Sequence, residues 1–243
     1  MNKHYIIGID EAGRGAWAGP IIAGGFMIEQ SGFVGINSII PNIKDSKKLK
    51  RKERENIFST IEYLSHKSEY QFTFAYRDAE VIDEIGIREA NRSCMEDIIL
   101  SFLQYIEAGD TVEIWIDGCD NYTFALEDFE YRFAQKKKKR TRGESVDKQL
   151  IEENKLGKER SISYLINGDN LHPLISLGGI IAKVVRDRIM CEYSEDFPQY
   201  SFDEHVGYGT RKHSDALHNY NITPIHRKSY APVKRLISGV SSI

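Results

Sequence analysis

The apolar positions of the chain fall into short runs that predict five β-strands. The runs are rich in β-branched and aromatic residues and are bounded by glycine, proline or charged residues, as strands commonly are. The third run alternates, with Tyr70, Phe72, Phe74 and Tyr76 on one face, which is the period of a strand. The predicted strands are residues 4–10, 20–28, 70–76, 112–116 and 161–166.

Apolar positions that recur every three or four residues predict the helices. In a long segment after the third strand, Ala90, Cys94, Ile98 and Phe102 recur every four residues, so they share one helix face. Thr210 precedes a shorter helical stretch and is a suitable N-cap. The predicted helices are residues 45–64, the long segment after residue 86, residues 180–193 and residues 211–218.

The order of these elements predicts an α/β fold. We expect a central mixed five-stranded sheet flanked by helices, followed by a small helical C-terminal part. The domain boundary is predicted near residue 197, which leaves residues 198–243 as the C-terminal part. Residues 136–158 have few apolar positions and no clear period, which predicts a mobile loop or a weak helical excursion.

Composition and cysteine use indicate a protein of the cytoplasm. Hydrophobic residues make up 41% of the chain and charged residues 28%, which is ordinary for a globular protein. No apolar run reaches the length of a membrane helix, and the N-terminus lacks the apolar stretch of a signal peptide. The three cysteines are odd in number and far apart, so we expect reduced thiols.

The charge of the chain is segregated. The net charge is −3, whereas residues 136–160 carry ten Lys or Arg against five Asp or Glu. Nucleic-acid binders are often basic overall, but a local basic segment also attracts phosphates. The net charge therefore excludes no class of partner.

Acidic residues next to glycines stand at the ends of three predicted strands. Asp10 and Glu11 close the first strand, Asp117 closes the fourth, and Asp169 closes the fifth. Strand ends of a central sheet converge in space, and ligands commonly bind there. Neighbouring strand residues point to opposite faces, so the first two acids share a site only if the strand bends, as the glycines that follow permit.

Four carboxylates in one place call for cations. Each like-charged pair at ~4 Å costs on the order of 4 kcal/mol, and all-oxygen ligands suit Mg²⁺ or Mn²⁺ rather than zinc. Two such ions about 3.5–4 Å apart support phosphodiester hydrolysis. Each aspartate taken alone is more simply explained as a turn residue. Spacing therefore indicates a metal-dependent phosphotransfer enzyme, with turn chemistry as the alternative.

The segment Gly8-Ile9-Asp10-Glu11-Ala12-Gly13-Arg14-Gly15, closed by Ala18-Gly19-Pro20, resembles the opening signature of the ribonuclease HII family. The resemblance covers nearly the whole chain except roughly residues 120–160. Further matches run in family order: Asp45-Ser46-Lys47-Lys48-Leu49, Ile82-Asp83, Gly86-Ile87, Ala90-Asn91, Ile116-Asp117-Gly118, Gly168-Asp169, Ile181-Ala182-Lys183-Val184, Arg186-Asp187, Gly207-Tyr208-Gly209-Thr210 with His213, and Thr223-Pro224-Ile225-His226-Arg227.

This resemblance implies a ribonuclease H-like fold and an endonuclease. Such an enzyme hydrolyses the RNA strand of RNA/DNA hybrids and cuts 5′ of ribonucleotides embedded in duplex DNA, leaving 3′-hydroxyl and 5′-phosphate ends. Residues 1–197 are then the catalytic domain, and residues 198–243 a substrate-binding extension. We expect a monomer that removes ribonucleotides in DNA replication and repair. By motif match, the catalytic residues that hold two Mg²⁺ or Mn²⁺ ions are Asp10, Glu11, Asp117 and Asp169.

The resemblance also implies how substrate is recognised. A glycine-arginine-glycine loop senses the ribose 2′-hydroxyl, which distinguishes RNA from DNA, and a tyrosine stacks at the ribonucleotide-to-deoxyribonucleotide junction. Two lysines are candidates for phosphate contacts. A plain turn and a loop-packing tyrosine are the alternatives. The residues in question are Gly13, Arg14, Gly15, Tyr208, Lys47 and Lys183.

Three further features lead to separate expectations. Residues 136–158 form a basic insertion relative to the family, either adding salt-dependent duplex affinity or forming a solvated loop. Gly178-Gly179 replaces the family's Ala-Ser pair, which we expect to remove a hydroxyl near Asp169. We expect Asp187 to be structural, since the run from Arg186 to Arg188 is typical of a solvated or ion-paired helix face.

Three other functions are compatible with parts of the pattern. Ribonuclease HIII shares the chemistry but usually has an extra N-terminal domain, whereas here the first strand begins at residue 4 and Ala12 follows Glu11. Another nuclease or an integrase on the same fold would not need Tyr208 or the glycine-arginine-glycine loop. A non-catalytic hybrid-binding protein would not need intact carboxylates.

Overall fold

The computed structural model describes most of the chain. The described residues are 2–41, 43, 45–66, 70–107, 109–120, 122, 124–126, 129–130, 150–156 and 160–238. Within this part of the chain, every helix is too short or too polar to cross a membrane.

All five predicted strands form one mixed sheet, which confirms the α/β fold class. The strands are β1 His4–Ala12, β2 Ile21–Glu29, β3 Tyr70–Arg77, β4 Thr111–Asp117, β7 Leu150–Leu156 and β8 Arg160–Leu165, with a separate hairpin of β5 Ala125–Leu126 and β6 Phe129–Glu130. The sixth strand of the sheet, β7, joins it at its edge, giving the order β3-β2-β1-β4-β8-β7. Strands β4 and β8 run parallel to β1, whereas β2, β3 and β7 run antiparallel to their neighbours.

The predicted helices are present with shifted ends. The segment predicted as one helix at residues 45–64 is a 3₁₀ turn, Ser46–Lys48, followed by α3, and the helix predicted at 180–193 begins earlier, at Pro173. Thr210 caps α9 by accepting a bond from the His213 N–H, as predicted. The α-helices are α1 Gln30–Phe33, α2 Ile36–Ile39, α3 Arg51–Leu64, α4 Ala79–Ile85, α5 Ile87–Leu103, α6 Gly168–Leu171, α7 Pro173–Asp196, α8 Phe202–His205, α9 Arg211–Tyr220 and α10 Ala231–Ile237; a second 3₁₀ turn is Pro198–Tyr200.

The sheet is covered on both faces. Ile7 and Ile9 of β1 pack in a core with α5, whereas Ile6 packs on the other face in a core with α3 and α7. Strands buried on both faces read as continuous apolar runs rather than alternating ones, which explains the sequence of β1. The ends of β1 and β4, where Asp10 and Asp117 lie, are thereby held between two layers of helices.

The longest helix, α7, lies directly on the backbone of β1 and β2. A Cβ at Gly8 would lie 2.2 Å from the Leu174 carbonyl carbon, and a Cβ at Gly178 would lie 2.7 Å from the Gly24 carbonyl oxygen. Because glycine has no Cβ, helix and sheet approach closely enough to seat the helix beside Asp10. The pair Gly178-Gly179 therefore lies against β1, next to Asp10. The expectation that this pair removes a hydroxyl near Asp169 stays a prediction.

The basic insertion is not wholly a loop. The stretch Leu150–Leu156 is strand β7 and pairs antiparallel with β8, with a register shift between Ile151 and Asn154. The prediction of a loop or helical excursion is therefore wrong for this part. Pairing with a neighbouring strand supplies the backbone hydrogen bonds, and so decides the conformation that a weak local pattern leaves open. Residues 136–149 and 157–158 lie outside the described residues.

The C-terminal part has its own small core. Val233 of α10, Leu217 of α9 and Phe202 of α8 pack with Met190 of α7 and with Ala18. Ala18 also forms an isolated antiparallel bridge with His226. The C-terminal part thus packs on the loop that follows β1. The predicted domain boundary at residue 197 stays a prediction.

Candidate active site

Three aspartates meet at the ends of the central strands. Asp10 of β1, Asp117 of β4 and Asp169 of α6 offer carboxylate oxygens that all lie within 4.8 Å of one another. Strands β1 and β4 are parallel neighbours, so their C-terminal ends lie side by side. Asp169 was predicted at the end of the fifth strand, but β8 ends at Leu165 and Asp169 lies in the short helix α6.

Two of the three aspartates are buried, and the three repel one another. Asp10 and Asp169 are each only 5% exposed. Burial, then the neighbouring charges of Glu11 and Asp117, raise the pKa of the Asp10 carboxyl well above its ordinary value. Burial and the charge of Asp169 raise the pKa of Asp117. Like charges in a buried cluster favour binding of a cation, and the all-oxygen donor set fits Mg²⁺ or Mn²⁺.

Backbone and neighbouring groups orient each carboxylate. The Gly168 N–H donates to Asp117 Oδ1 at 2.7 Å, and the Glu11 N–H donates to Asp10 Oδ1 at 2.7 Å. A Cβ at position 179 would lie 2.4 Å from Asp10 Oδ2. The glycine at this position therefore gives the Asp10 carboxylate its space. The departure from the family's Ala-Ser pair marked this position in the sequence, but not its contact with Asp10.

Glu11 is not part of the three-aspartate group within the described residues. Its carboxylate oxygen Oε1 lies 3.8 Å from Arg14 Nη1, and it also accepts a hydrogen bond from the Asn91 side chain. Burial raises the pKa of its carboxyl, while Arg14 and Asn91 act in the opposite direction. The fourth predicted acid thus lies beside the cluster and faces the loop of Gly13, Arg14 and Gly15.

A ring of polar contacts joins Glu11 to Arg14. The Asn91 amide, which bonds Glu11, also donates to the Tyr122 hydroxyl at 3.1 Å, and this hydroxyl donates to Asp120 Oδ2 at 2.8 Å. Arg14 Nη1 lies 2.5 Å from the same Asp120 oxygen. The ring closes at Arg14 and Glu11, so an acid of the predicted catalytic set and the arginine of the predicted ribose-sensing loop are positioned together.

The loop of residues 13–15 lies beside Tyr208. Gly13 has a φ of +94°, and a Cβ there would lie 2.1 Å from Arg186 Nε. At Gly15, a Cβ would lie 4.0 Å from Tyr208 Cε1. Tyr208 is 38% exposed, and its ring lies 5.4 Å from the guanidinium carbon of Arg186. The structure therefore places the two predicted substrate-recognition elements next to each other.

The two predicted phosphate-binding lysines lie in different settings. Lys47 is largely exposed, and its Nζ lies 3.4 Å from Asp169 Oδ2. Lys183 Nζ instead forms an ion pair with Asp187 at 2.6 Å, and Asp187 also pairs with Arg54 at 3.1 Å. Asp187 is buried, which supports its predicted structural role.

Arg186 was interpreted as part of a solvated or ion-paired face, and this is wrong. Its side chain is fully buried and donates to the carbonyl oxygens of Pro20, Val206 and Ala18. A buried guanidinium is tolerated when its donors are satisfied. Arg186 therefore joins the loop after β1 to the segment before Tyr208.

Some of the site's supporting residues could have been found from the sequence. Asn91 and Arg186 both fall inside motifs that match the family. The motifs marked these residues but did not indicate what each side chain contacts. Asp120 lies outside the matched motifs, and no local pattern marks it. Its pairing with Arg14 depends on the path of the chain after β4.

The chain is similar in sequence to one family along most of its length. A family model described as Ribonuclease HII matches residues 7–233. A protein named Ribonuclease HII from Acholeplasma laidlawii is 36% identical over 96% of this chain and 90% of its own length. Another of the same name, from Bacillus licheniformis, is 34% identical over 95% of this chain and 71% of its own length.

Solved structures share the fold at low sequence identity. Ribonuclease H2 from Pyrococcus horikoshii superposes with a TM-score of 0.68 at 19% identity, over 97% of this chain and 98% of that one. Bst-RNase HIII in complex with Mn²⁺ superposes with a TM-score of 0.62 at 14% identity, over 98% of this chain and 70% of that one. The ribonuclease H-like fold is thereby confirmed.

Proposed function

Because the chain belongs to the ribonuclease HII family and is a ribonuclease H hydrolase, we propose that it hydrolyses the RNA strand of RNA/DNA hybrids. We further infer that it cuts 5′ of ribonucleotides embedded in duplex DNA, leaving 3′-hydroxyl and 5′-phosphate ends. The observation that carries this proposal is the group of Asp10, Asp117 and Asp169, two of them buried, with oxygens within 4.8 Å of one another.

In this proposal the four acids form the catalytic set. The three aspartates would hold divalent ions, Mg²⁺ or Mn²⁺, and Glu11 beside them completes the set. Ions held there would supply activation of the attacking water and neutralisation of charge on the leaving oxygen. The backbone donors at Gly168 and Glu11 hold two of the carboxylates in place before ions arrive, which reduces the reorganisation that binding requires.

Substrate selection is assigned to the loop of residues 13–15 and to Tyr208. Glycines allow backbone N–H groups to approach a ribose 2′-hydroxyl closely, and an aromatic ring stacks on an adjacent base or sugar. Proximity of Gly15 to Tyr208 supports recognition of one nucleotide junction by both elements. Lys47, exposed beside Asp169, is suited to a phosphate contact.

Lys183 is proposed to contact phosphate as well, although its ammonium group is paired with Asp187. Burial lowers the pKa of Lys183, and Asp187 acts in the opposite direction. A phosphate contact at this position would have to compete with that ion pair. We propose further that the protein acts as a monomer in the cytoplasm, where it removes ribonucleotides from DNA.

The alternatives from the sequence are less well supported. The relatives at 31–36% identity carry the name Ribonuclease HII, which favours that family over ribonuclease HIII and over unrelated nucleases. Retention of all four acids favours an enzyme over a non-catalytic binding protein. A marked preference for a lone ribonucleotide over long RNA tracts would distinguish the proposed enzyme from one of the ribonuclease HIII type.

The test uses a DNA duplex with one ribonucleotide, assayed with Mg²⁺, with Mn²⁺ and with chelator. We expect cleavage with an ion, none with chelator, and a loss of about 100-fold or more in kcat for Asp10→Asn, because this substitution removes a charged oxygen ligand. Asp196→Asn is the matched control, since it lies 17 residues along α7 from Gly179, about 25 Å at helical rise. Wild-type rates for Asp10→Asn, or no cleavage with either ion, would contradict the proposal.

A further inference from the structure

Three buried histidines lie beneath the loop that carries Tyr208. His213 and His226 are fully buried, and His205 is 8% exposed. The rings of His205 and His213 are stacked with centroids 4.6 Å apart, and the Nε2 atoms of His213 and His226 are 3.0 Å apart. All three lie in the C-terminal part of the chain. The proposed reaction assigns no role to their side chains.

The partners of these rings determine which nitrogen carries each proton. His213 Nδ1 lies 3.0 Å from the Tyr208 carbonyl oxygen, which can only accept, so Nδ1 carries a proton. The Thr223 N–H donates to His226 Nδ1 at 2.9 Å, so that nitrogen is unprotonated. In the neutral rings, His226 Nε2–H must then donate to His213 Nε2.

The result is a directional chain of hydrogen bonds, which we call the histidine relay. It runs from the Thr223 N–H to His226, from His226 to His213, and from His213 to the Tyr208 carbonyl. Burial lowers the pKa of His213 and of His226 to about 4. Both rings are therefore neutral near pH 7, as the relay requires.

The neighbours of Tyr208 leave its backbone little freedom. A Cβ at Gly207 would lie 2.3 Å from the Ala18 carbonyl oxygen, and a Cβ at Gly209 would lie 2.1 Å from the Trp17 ring. The backbone N–H of Trp17 donates to the Gly207 carbonyl at 2.8 Å. The backbone on either side of Tyr208 therefore packs tightly on the loop after β1. His213 of the histidine relay donates to the Tyr208 carbonyl oxygen.

We infer that His213 and His226 are positioning residues for Tyr208, and that the histidine relay determines selection of the ribonucleotide junction. This inference rests on the proposed function, since it gives Tyr208 a contact with substrate. The relay itself touches no substrate. Its loss would leave the carboxylate cluster intact and would change the discrimination between a lone ribonucleotide and a uniform RNA/DNA hybrid.

The two histidines offer a matched pair of substitutions each. The side-chain amide of asparagine reaches the place of a histidine Nδ1, and that of glutamine reaches the place of Nε2. His213→Asn can therefore still donate to the Tyr208 carbonyl, whereas His213→Gln cannot. At His226 the pattern inverts, because its donor is Nε2: His226→Gln keeps the donor and His226→Asn loses it.

The experiment measures kcat and KM for a duplex with one ribonucleotide and for a uniform RNA/DNA hybrid. We expect His213→Gln and His226→Asn to lower the junction-to-hybrid ratio of kcat/KM by about 10-fold, the effect of one lost hydrogen bond. His226→Gln keeps the donor to His213 and is expected to stay within about 2-fold of the wild type by the same principle. His213→Asn keeps the bond to the Tyr208 carbonyl but loses the acceptor for His226 Nε2–H, so its loss should be no larger than that of His226→Asn. Because the relay is proposed to act through Tyr208, the fall in this ratio for Tyr208→Ala is the largest that loss of the relay could cause.

Thermal melting of each variant separates positioning from folding. If the histidines only stabilised the fold, their substitution would lower the melting temperature but leave the junction-to-hybrid ratio of kcat/KM unchanged. That result would overturn the inference. Equal losses for asparagine and glutamine at both positions would overturn it as well. If the wild-type protein did not cleave the single ribonucleotide at all, the proposed function would fail instead.

Discussion

At the scale of single residues, the ion pair between Arg14 and Asp120 joins the proposed substrate loop to the segment after β4. Burial raises the pKa of the Asp120 carboxyl, but the bonds from Arg14 and Tyr122 outweigh burial and hold it below its ordinary value. The pKa of Arg14 is raised, chiefly by its bond to Asp120. Each partner thus favours the charged form of the other, in a ring that also reaches Glu11.

Substitution of Asp120 tests whether this pair prepares Arg14 for substrate. We expect Asp120→Asn to lower kcat/KM for a duplex with one ribonucleotide by about 5- to 10-fold, because a partly exposed ion pair contributes about 1 kcal/mol. Steady-state kinetics on that duplex are the measurement. Asp97→Asn breaks a comparable pair with Arg77 at 2.7 Å, so an equal loss in this control would show that the effect is not specific.

At the scale of elements, the contact of α7 with β1 and β2 determines where the aspartates lie. The helix packs on backbone at Gly8 and Gly24, so it approaches the sheet without intervening side chains. The same contact leaves the Asp10 carboxylate room against Gly179. A methyl group added at this contact would displace α7 and, with it, Gly179 beside the Asp10 carboxylate.

Gly178→Ala tests the close approach of α7. An alanine Cβ would lie 2.7 Å from the Gly24 carbonyl oxygen, and overpacking costs about 1–3 kcal/mol against a gain in helix propensity of about 1 kcal/mol. The net cost of up to about 2 kcal/mol is expected to lower the thermal midpoint by up to roughly 8 °C. Gly35→Ala is the control, since its Cβ would meet nothing closer than 3.8 Å. A midpoint that stayed equal or rose in Gly178→Ala would show that the helix has room.

At the scale of the whole molecule, two buried arginines and the histidine relay join the C-terminal part to the catalytic layer. Arg227 is fully buried and donates to the carbonyl oxygens of Gly19 and Arg14. Arg186 binds the same loop and the carbonyl of Val206. The loop after β1 is therefore held by groups that lie up to 213 residues away in sequence, a span that loop closure must bridge.

This architecture predicts a loss of stability in acid. His213 and His226 have a pKa of about 4 in the folded state and about 6.5 when unfolded, so the unfolded chain binds more protons between these values. The free energy of unfolding should therefore fall as pH drops from 6.5 to 4, by on the order of 2–3 kcal/mol for each histidine. Above pH 6.5 these two groups cause no change.

Urea unfolding at pH 7, 5.5 and 4.5 measures this effect. His226→Gln removes one of the two buried groups and should flatten the decline between pH 6.5 and 4. The exposed His218 is the control, and His218→Gln should leave the slope as in the wild type. Because the carboxylates titrate in all three proteins, the difference between variants isolates the buried histidine. An unchanged slope in His226→Gln would show that the ring is not kept neutral by burial.

The sequence by itself determined the type and order of the main elements and the identity of the acids. The strand and helix periods are local properties, so residues 4–10 and the long segment after residue 86 could be assigned without a structure. The motifs from Gly8 to Pro20 carried the family. Element ends and β7 could not be assigned this way, because capping and strand pairing depend on neighbours distant in sequence.

Only the tertiary structure decided which groups meet. It brought Asp10, Asp117 and Asp169 together, turned Glu11 toward Arg14, and placed Gly179 beside Asp10. It also paired Asp120 with Arg14 across more than one hundred residues. The physical reason is that a local pattern records which face of an element is apolar, whereas the distance between two polar groups depends on how whole elements pack.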